Sequence, residues 1–508
     1  MNRESRPKAP GRYRHHRPAV SARFLVAGLL FAAVLHAQAA LFVPEAVDLG
    51  PILTRDTDLT EQPRIRAIGP VFEGKELDDD ALFRAIRPLF SAVYDRDAVE
   101  TDNHLLWPVG SYRRHLSRAN WRCLLVFGSD SDTTDSHSRY HVWAFPVLFF
   151  GRDRHDEDYF GLFPLGGKLK EFLGRDTIVF VLFPLYAYSR VNDVRTHDVL
   201  WPIFSRSKGK QLSRWRVFPF YGREDMPGRS EKHFIAWPFW SFARYHYPGS
   251  AGYAFVLFPL FGRVNLENQQ SWMLLPPFFR WTRTKERREA YFPWPFLQVS
   301  SGDIDKLYVW PLWGRKNTDD SRYTFALWPI FSKRERWNEH TIRRRFAARP
   351  VFYCETLSRQ PDATGKPGEQ LSKYVKVWPF VSFEKNDTMT RLRSLDLWPM
   401  RNPPGIERNW APFWTLYSYE RGPRECSHEL LWGLFRRRRN MDGGVYTSLF
   451  PLVAWHASGQ DGQTRSWSIL KGLIGYDRQG SHRTLRLLYF LRFRRDTPPP
   501  WTRPARAP

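Results

Sequence analysis

The chain has 508 residues and a formal net charge of +25, from 77 Lys and Arg against 52 Asp and Glu, and 16% of it is aromatic. Such an aromatic composition excludes an intrinsically disordered chain, because disordered segments lack the apolar side chains that build a core. The three cysteines, Cys123, Cys354 and Cys426, form no CxxC pair and are odd in number. A structural zinc motif and a disulfide framework are therefore not expected.

The N-terminus has the pattern of an export signal. Seven Lys and Arg residues up to Arg23 precede a 12-residue apolar run at residues 24–35, and Ala37, Gln38 and Ala39 follow as a small-x-small cleavage site. This order predicts a signal peptide at residues 1–39. An uncleaved anchor is the alternative, but a bilayer-spanning helix needs about 20 apolar residues. We expect export to the outer membrane or periplasm of a Gram-negative-type bacterium.

One aromatic–proline core recurs along the chain. Residues 200–206 (LWPIFSR), 217–223 (VFPFYGR) and 257–263 (LFPLFGR) are copies of it, spaced by about 19 residues on average. The anchor prolines are Pro146, Pro164, Pro184, Pro202, Pro219, Pro238, Pro259, Pro277, Pro295, Pro311, Pro329, Pro350, Pro379, Pro399 and Pro412, followed by copies at Gly433 and Pro451. Such a period indicates a tandem-repeat architecture.

The repeat predicts an all-β protein. Polar stretches with turn chemistry, such as residues 225–230 and 247–252, separate the cores. We interpret each copy as one strand of about 8–13 residues plus a turn. A unit of about 19 residues has no room for a crossover helix. The predicted fold is a long antiparallel up-and-down meander of about twenty strand repeats, forming either a large closed barrel or a strongly curved sheet.

The organisation has four predicted parts. Residues 1–39 are the signal peptide, and residues 40–105 are an N-terminal segment with the first, divergent repeats. Residues 106–495 are the tandem β-repeat region, and residues 496–508 are a disordered Pro/Arg tail. No apolar run outside the signal reaches 18 residues, so no transmembrane helix is expected.

Placing the aromatic–proline core on a strand conflicts with two properties of its residues, the proline nitrogen and the length of the core. With residues 200–206 on one strand, Trp201 and Ile203 share one face while Pro202 and Phe204 share the other, so both faces are apolar. An outer-membrane barrel explains two apolar faces. However, an interior strand uses every N–H and proline has none. A tilted seven-residue core also covers only about 18 Å of a lipid band of about 25 Å.

A second, weaker period concerns the residue that lies four positions after the aromatic. It is Ser at Ser205, Ser241 and Ser332, and Gly at Gly222 and Gly262. Ser follows the tryptophan copies and Gly mainly the phenylalanine copies. This alternation predicts a hairpin-level repeat of about 38 residues in which the two strands differ in role.

No catalytic motif is present. The chain lacks HExxH, GxxxxGK[ST] and GxSxG patterns. An acidic loop at residues 153–158 lacks the ligand spacing of a calcium site and is interpreted as solvated charge. We therefore expect no enzymatic activity, no cofactor and no metal site.

Basic residues close many of the apolar cores. These candidate polyanion contacts are Arg206, Arg223, Arg244, Arg263, Arg315 and Lys333. One hypothesis is a cationic row for lipopolysaccharide phosphate or another polyanion. The alternative, which we favour, is that they flank apolar strands and block aggregation. The recurring tryptophans are likewise interpreted as core or interfacial belt rather than as a sugar-binding surface.

Two functions fit the sequence. The first is a non-enzymatic, exported envelope β-protein associated with the outer membrane, with a structural or passive-transport role and with membrane lipid or lipopolysaccharide as partner. The second is a soluble exported β-repeat module that binds a glycan or polyanion. The sequence gives no small-molecule ligand, no specific nucleic-acid partner and no oligomeric state.

Overall fold

A computed structural model describes residues 47–57, 62–78, 81–95, 99–133, 139–361, 366, 368–458, 464–480 and 482–496. The predicted signal peptide and residues 497–508 of the predicted tail lie outside these residues. The chain divides into a unit of residues 1–47, of which only Val47 is described, and a unit of residues 48–508. No helix in the described part of the chain is long and apolar enough to cross a membrane.

The described residues form one sheet in which each strand pairs antiparallel with the next, confirming the predicted meander. Its first strands are β1 (Val47–Asp48), β2 (Leu53–Thr57), β3 (Pro63–Ala67), β4 (Phe72–Asp78), β5 (Ala81–Ile86), β6 (Phe90–Asp95), β7 (Glu100–Leu105), β8 (Gly110–His115), β9 (Arg118–Cys123), β10 (Phe127–Asp132), β11 (Arg139–Ala144), β12 (Leu148–Arg152), β13 (Asp158–Leu162), β14 (Gly166–Phe172) and β15 (Arg175–Val181). The middle strands are β16 (Tyr186–Val191), β17 (Val194–Val199), β18 (Phe204–Gly209), β19 (Leu212–Val217), β20 (Tyr221–Met226), β21 (Ser230–Ile235), β22 (Trp240–Tyr245), β23 (Gly252–Leu257), β24 (Phe261–Leu266), β25 (Gln269–Leu274), β26 (Phe279–Thr284), β27 (Arg287–Tyr291), β28 (Leu297–Gly302), β29 (Asp305–Val309), β30 (Trp313–Asn317) and β31 (Ser321–Ala326). The last are β32 (Phe331–Trp337), β33 (Thr341–Ala348), β34 (Phe352–Arg359), β35 (Gln370–Val377), β36 (Val381–Asn386), β37 (Thr390–Ser394), β38 (Tyr417–Arg421), β39 (Glu425–Leu430), β40 (Phe435–Asn440), β41 (Val445–Leu449), β42 (Val453–Ser458), β43 (Thr464–Ile469), β44 (Ile474–Gln479), β45 (His482–Leu487) and β46 (Leu491–Asp496).

The content of one repeat differs from the sequence interpretation. Between the anchors Pro202 and Pro219 the chain makes two strands, β18 and β19, and the same holds for the neighbouring copies. Each copy of about 19 residues is therefore a hairpin of two short strands rather than one longer strand. The number of repeats, about twenty, agrees with the expectation, and the described residues form 46 strands.

The aromatic–proline core is a turn and not a strand. Residues 200–203 connect β17 to β18, and the Trp201–Pro202 bond is cis. The N–H of Ile203 donates to the carbonyl of Leu200 at 2.8 Å and closes the turn. This placement removes the difficulty with proline, because a turn position needs no ladder hydrogen bond from the proline nitrogen.

The polar stretches form turns as predicted. Pro227 and Gly228 connect β20 to β21, and Pro248 and Gly249 lie between β22 and β23. Gly228 has φ +72° and Gly249 has φ +73°, which suits the second central position of a proline–glycine turn. The sheet is thus a ribbon with two different borders. The proline edge holds the turns from each odd-numbered strand to the next strand, and the polar edge holds the others.

The ribbon is narrow and long. A typical strand of six residues spans about 20 Å, and 46 strands at about 4.8 Å spacing extend about 220 Å along the ribbon. Within the described residues no backbone pairing joins the first strands to the last, so the sheet is not closed by hydrogen bonds. Of the two predicted forms, the open sheet is therefore the one observed. It is curved, because side chains near its two ends contact each other.

One insertion interrupts the meander. Residues 395–416 connect β37 to β38 and contain two short helices, α1 (Pro404–Asn409) and α2 (Ala411–Trp414). The anchors Pro399 and Pro412 belong to this insertion rather than to regular turns. Two further turns of the proline edge are 3₁₀ segments, η1 (Leu431–Gly433) and η2 (Leu470–Gly472).

The two faces of the ribbon differ in burial. In β18, Ser205 and Ser207 are buried, whereas Phe204, Arg206 and Lys208 are exposed. Residues directly opposite each other on antiparallel strands share a face. Tracing the register from β18 therefore assigns all strands to an inner face, which carries Ser205, and an outer face, which carries Phe204.

Candidate functional site

The proline edge exposes a series of large apolar side chains. All seventeen cis X–Pro bonds among the described residues lie in its turns. The side chains beside these prolines are unusually exposed, including Phe220 (69%), Phe239 (56%) and Phe380 (65%). Turns usually carry polar residues, so this border is an extended apolar surface rather than a set of ordinary loops.

An apolar row on the outer face runs beside the proline edge. Each strand from β2 to β26 and from β28 to β46 contributes the residue nearest the turn, and within each of these two runs neighbouring residues are directly opposite in the register. The row from β2 to β26 is Leu53, Ala67, Phe72, Ile86, Phe90, Leu105, Gly110, Cys123, Phe127, Ala144, Leu148, Leu162, Gly166, Val181, Tyr186, Val199, Phe204, Val217, Tyr221, Ile235, Trp240, Leu257, Phe261, Leu274 and Phe279. From β28 to β46 it is Leu297, Val309, Trp313, Ala326, Phe331, Ala348, Phe352, Val377, Val381, Ser394, Tyr417, Leu430, Phe435, Leu449, Val453, Ile469, Ile474, Leu487 and Leu491. None of these residues carries a charge.

Polarity on the outer face rises away from the proline edge. The next row mixes aromatic and basic side chains, for example Arg206, Trp215 and Arg223 on successive strands. One row further on, the side chains are mostly charged or polar, as at Lys208 and Asp225. The outer face is therefore graded from apolar at one border to charged at the other.

The structure places the six basic candidates on this outer face. Five of them, Arg206, Arg223, Arg263, Arg315 and Lys333, lie in the mixed aromatic–basic row. Arg244 lies one row nearer the polar edge. They are separated by two or more strands, so they form a line and not a cluster. Aromatic side chains lie between them, and the Arg263 guanidinium lies over the Trp272 ring, 4.4 Å from its centroid.

The inner face explains the serine–glycine alternation. Gly222 is directly opposite Phe234, and Gly314 is directly opposite Phe325. A Cβ atom on either glycine would overlap the facing ring. Ser205, Ser241 and Ser332 occupy the same register row. At Gly222 and Gly314 the residue is small because the facing aromatic ring covers it, whereas Ser205 lies opposite Asp198 and Arg216.

Inner-face side chains join the two ends of the ribbon, and we call this set of contacts the seam. Arg66 in β3 forms a two-pronged ion pair with Glu429 in β39, at 2.7 and 2.9 Å. The Asp56 carboxylate in β2 accepts from Arg438 in β40 at 2.5 Å. The Tyr446 hydroxyl in β41 donates to Asp48 in β1 at 2.7 Å. Because the partners are separated by more than thirty strands, the ribbon must curve back on itself.

The insertion extends the seam. Arg408 of α1 contacts Asp102 in β7 at 2.7 Å, and Asn409 lies 3.2 Å from the Nδ1 atom of His104. The Trp410 indole N–H donates to the carbonyl of Trp107 at 2.8 Å. The insertion therefore joins the C-terminal part of the ribbon to strands β7 and β8.

A buried polar triad holds the insertion on its own side. The Lys376 ammonium lies 2.8 Å from the Asp396 carboxylate and donates to the Asn402 side-chain carbonyl at 2.9 Å. All three side chains are buried. Burial lowers the pKa of Lys376, although the Asp396 carboxylate opposes that change. Because both charges are buried, removing either Lys376 or Asp396 would leave the other as an uncompensated buried charge, which is strongly destabilising.

The electrostatics of the seam favour ionised carboxylates. Burial alone would raise the pKa of Glu429, but Arg66 and Arg436 outweigh burial and lower that pKa to about 2. In the same way the guanidinium groups of Arg64 and Arg438 hold the pKa of Asp56 far below its usual range despite burial. Both carboxylates are therefore charged at neutral pH.

Sequence reasoning missed the seam, but the repeat contains a signal for it. At the position where many other copies carry Ser or Gly, Glu73 stands three positions after Pro70 and Arg436 three positions after Gly433. Arg66 and Glu429 lie in the same register row. Charged residues at this position therefore occur on both sides of the seam, but Arg280 in β26 occupies the same position away from it.

The acidic loop around Asp153 and the three cysteines are the remaining candidates for a chemical role. Asp153 accepts from the backbone N–H groups of His155 and Glu157 and pairs with Lys170 at 3.2 Å, which shapes its loop. Among the described residues no group of three or more His, Cys, Asp or Glu side chains is arranged to hold a metal ion. The three cysteines are not joined by disulfides.

The sequence matches no protein-family model, and no curated protein is significantly similar to it.

Proposed function

We propose that this chain is a non-enzymatic, structural protein of the cell envelope that lies on a membrane with its proline edge inserted into one leaflet. The observation that carries the proposal is the uncharged outer row beside the exposed apolar turns, continued from hairpin to hairpin along the ribbon. An aqueous protein of this size rarely exposes so long an apolar surface, because apolar area in water is unfavourable.

The graded outer face supports a lipid partner. Trp and Tyr prefer the headgroup level of a membrane, and Arg extends toward phosphate while its stem stays in apolar surroundings. The mixed row of Arg206, Trp215 and Arg223 would lie at that level once the turns are immersed. Without the expected signal peptide the chain keeps 70 Lys and Arg against 51 Asp and Glu, and this net charge of +19 adds attraction to anionic lipid.

The dimensions favour one leaflet over a full span. A strand of about 20 Å is shorter than the hydrocarbon core of about 30 Å. On the inner face, polar residues such as Ser205 and Arg216 begin in the row nearest the turns. Insertion to a depth of about 10 Å immerses the turns and the apolar row and leaves these polar rows at the surface.

The expected signal at residues 1–39 supports an envelope location.

A second candidate function is binding of a glycan or polyanion along the aromatic–basic row, and the Arg263–Trp272 contact supports it. The two candidates predict different determinants: apolar turns for the lipid function, and basic side chains for the polyanion function.

Flotation with lipid vesicles tests the proposal. Phe220, Phe239 and Phe380 are replaced together by Asp on the proline edge, and Asn268, Asp303 and Asp387 by Phe on the polar edge as a control. We expect wild type and control to float with vesicles and the proline-edge variant to stay in the soluble fraction. Wild type that does not float, or a proline-edge variant that floats equally well, would overturn the proposal.

A second set of variants separates the two candidate functions. Gln replaces Arg206, Arg223 and Arg315 together, which leaves the turns unchanged. Retained flotation with lost binding to heparin would support the polyanion function as an additional activity of the outer face. Lost flotation on neutral phosphatidylcholine vesicles would show that charge, and not the apolar edge, provides the membrane attachment.

A further inference from the structure

The seam encloses a basic cavity. A space of about 620 Å³ is lined by residues of strands β3–β6 on one side and of β37–β40 on the other. Nine Lys and Arg side chains line this space against four Glu side chains. The cavity is large enough for a phosphorylated group of small-molecule size.

Charges at the centre of the cavity are not balanced. The carboxylate of Asp56 is shared by three guanidinium groups, those of Arg64 at 3.1 Å, Arg436 at 3.3 Å and Arg438 at 2.5 Å. Arg66 is paired with Glu429. Asp48 lies 3.9 Å from Arg436 as a third carboxylate. Four guanidinium groups therefore share three carboxylates within one largely buried cluster.

Several buried N–H groups of the cluster also have no acceptor. In the described part of the chain, the Nε atoms of Arg66, Arg436 and Arg438 are inaccessible to solvent and make no hydrogen bond. The side chain of Arg436 is only 3% exposed. Burial, together with the nearby Arg66 charge, lowers the pKa of Arg436. A buried, under-compensated cation is costly unless an anion accompanies it.

We propose that the seam cavity binds a phosphate-bearing anion, whose oxygens lie against the guanidinium groups of Arg66, Arg436 and Arg438 in the cavity wall. A phosphate group fits because it offers several acceptor oxygens and close to two negative charges, which offset part of the excess of nine basic over four acidic side chains in the cavity lining. The anion can be a free phosphate compound or the headgroup of a phospholipid, since both present the same chemistry. The inference is independent of the proposed membrane insertion.

Titration of the full chain with inorganic diphosphate tests the site, with sodium chloride of matched ionic strength as the reference. A carboxylate introduced into the cavity should replace the ligand. Ser427→Asp and Ser418→Asp are therefore made, since both serines line the cavity. Ser213→Asp, at an exposed outer-face position, is the control.

We expect diphosphate to bind wild type and Ser213→Asp saturably and to raise their melting temperatures. The affinity of both cavity variants should fall by at least about tenfold, and their melting temperatures without diphosphate should equal or exceed that of wild type. Wild type without saturable binding, or folded cavity variants that bind like wild type, would overturn the site. Two cavity variants are used so that misfolding of one leaves the test intact.

Vesicles distinguish the two sources of phosphate. Phosphatidylcholine vesicles with and without phosphatidic acid are compared in the presence and absence of diphosphate. Recruitment that needs phosphatidic acid and is lost in Ser427→Asp identifies a lipid headgroup in the cavity. Diphosphate binding with no effect of phosphatidic acid identifies a free anion. The titration itself requires no membrane, so failure of membrane insertion does not affect it.

Discussion

Arg66 and Glu429 are separated by 363 positions in the chain and meet in a two-pronged ion pair, with Nη1–Oε1 at 2.7 Å and Nη2–Oε2 at 2.9 Å. Both lie in the inner-face register row nearest the proline edge. Their contact brings strands β3 and β39 together without any backbone hydrogen bond. Side-chain contacts, and not backbone pairing, therefore hold the two ends of the ribbon together.

Loss of one partner of this pair should open the seam. Glu429→Ala removes the carboxylate that is paired with Arg66, which costs about 3 kcal/mol for a largely buried pair. We expect faster amide hydrogen exchange in β2 and β3 and little change in β20–β24. Asp158→Ala, which removes the exposed Arg152–Asp158 pair, is the control and should leave exchange at the seam unchanged. Equal exchange in β2 for wild type and Glu429→Ala would contradict the role of the pair.

Acid should weaken the seam in a defined range. The folded-state pKa of Glu429 is about 2 and its ordinary value is 4.5, so the folded state binds fewer protons. The stabilisation is complete above pH 4.5 and is lost as the pH falls toward about 2. A distance measurement between labels on β3 and β39 should show separation only at the acid end. Glu429→Gln should remove most of this pH dependence, and a wild-type seam that opens between pH 5 and 7 would exclude it.

The buried Lys376–Asp396 pair should control the insertion. Lys376→Ala leaves the Asp396 carboxylate buried with Asn402 as a neutral partner, at a cost of about 3 kcal/mol. We expect protease cleavage within residues 395–416 to become faster than in wild type. The double variant Lys376→Met with Asp396→Leu should recover much of the resistance, because it removes both charges together. Unchanged cleavage in Lys376→Ala would show that other contacts hold the insertion.

The small residue of the inner row should be required by the ring that faces it. Gly222→Val introduces a Cβ atom into the Phe234 ring and should lower the free energy of unfolding by about 1–3 kcal/mol. Adding Phe234→Ala should restore part of the loss, because the ring no longer occupies that space. Urea denaturation of the two variants measures this coupling. Independent, additive effects would show that the contact does not explain the glycine.

The sequence by itself determined the repeat, its period and the antiparallel meander. Local chemistry is sufficient for these, since proline–glycine pairs specify turns and a unit of about 19 residues has no room for a crossover helix. It did not determine that the aromatic–proline core is a turn. The pattern LWPIFSR has the apolar content of a buried strand, and only the tertiary structure shows Pro202 between two strands.

The tertiary structure alone decided how the ribbon is arranged in space. Which residues share the outer row follows from the register, and the register depends on turn lengths at both borders. The six basic residues predicted from the sequence do lie on one face, because five of them occupy equivalent repeat positions and Arg244 lies two residues further along its strand. The seam lay beyond sequence reasoning, since the contact between Arg66 and Glu429 depends on the accumulated curvature of more than thirty strands, a quantity that no local pattern specifies.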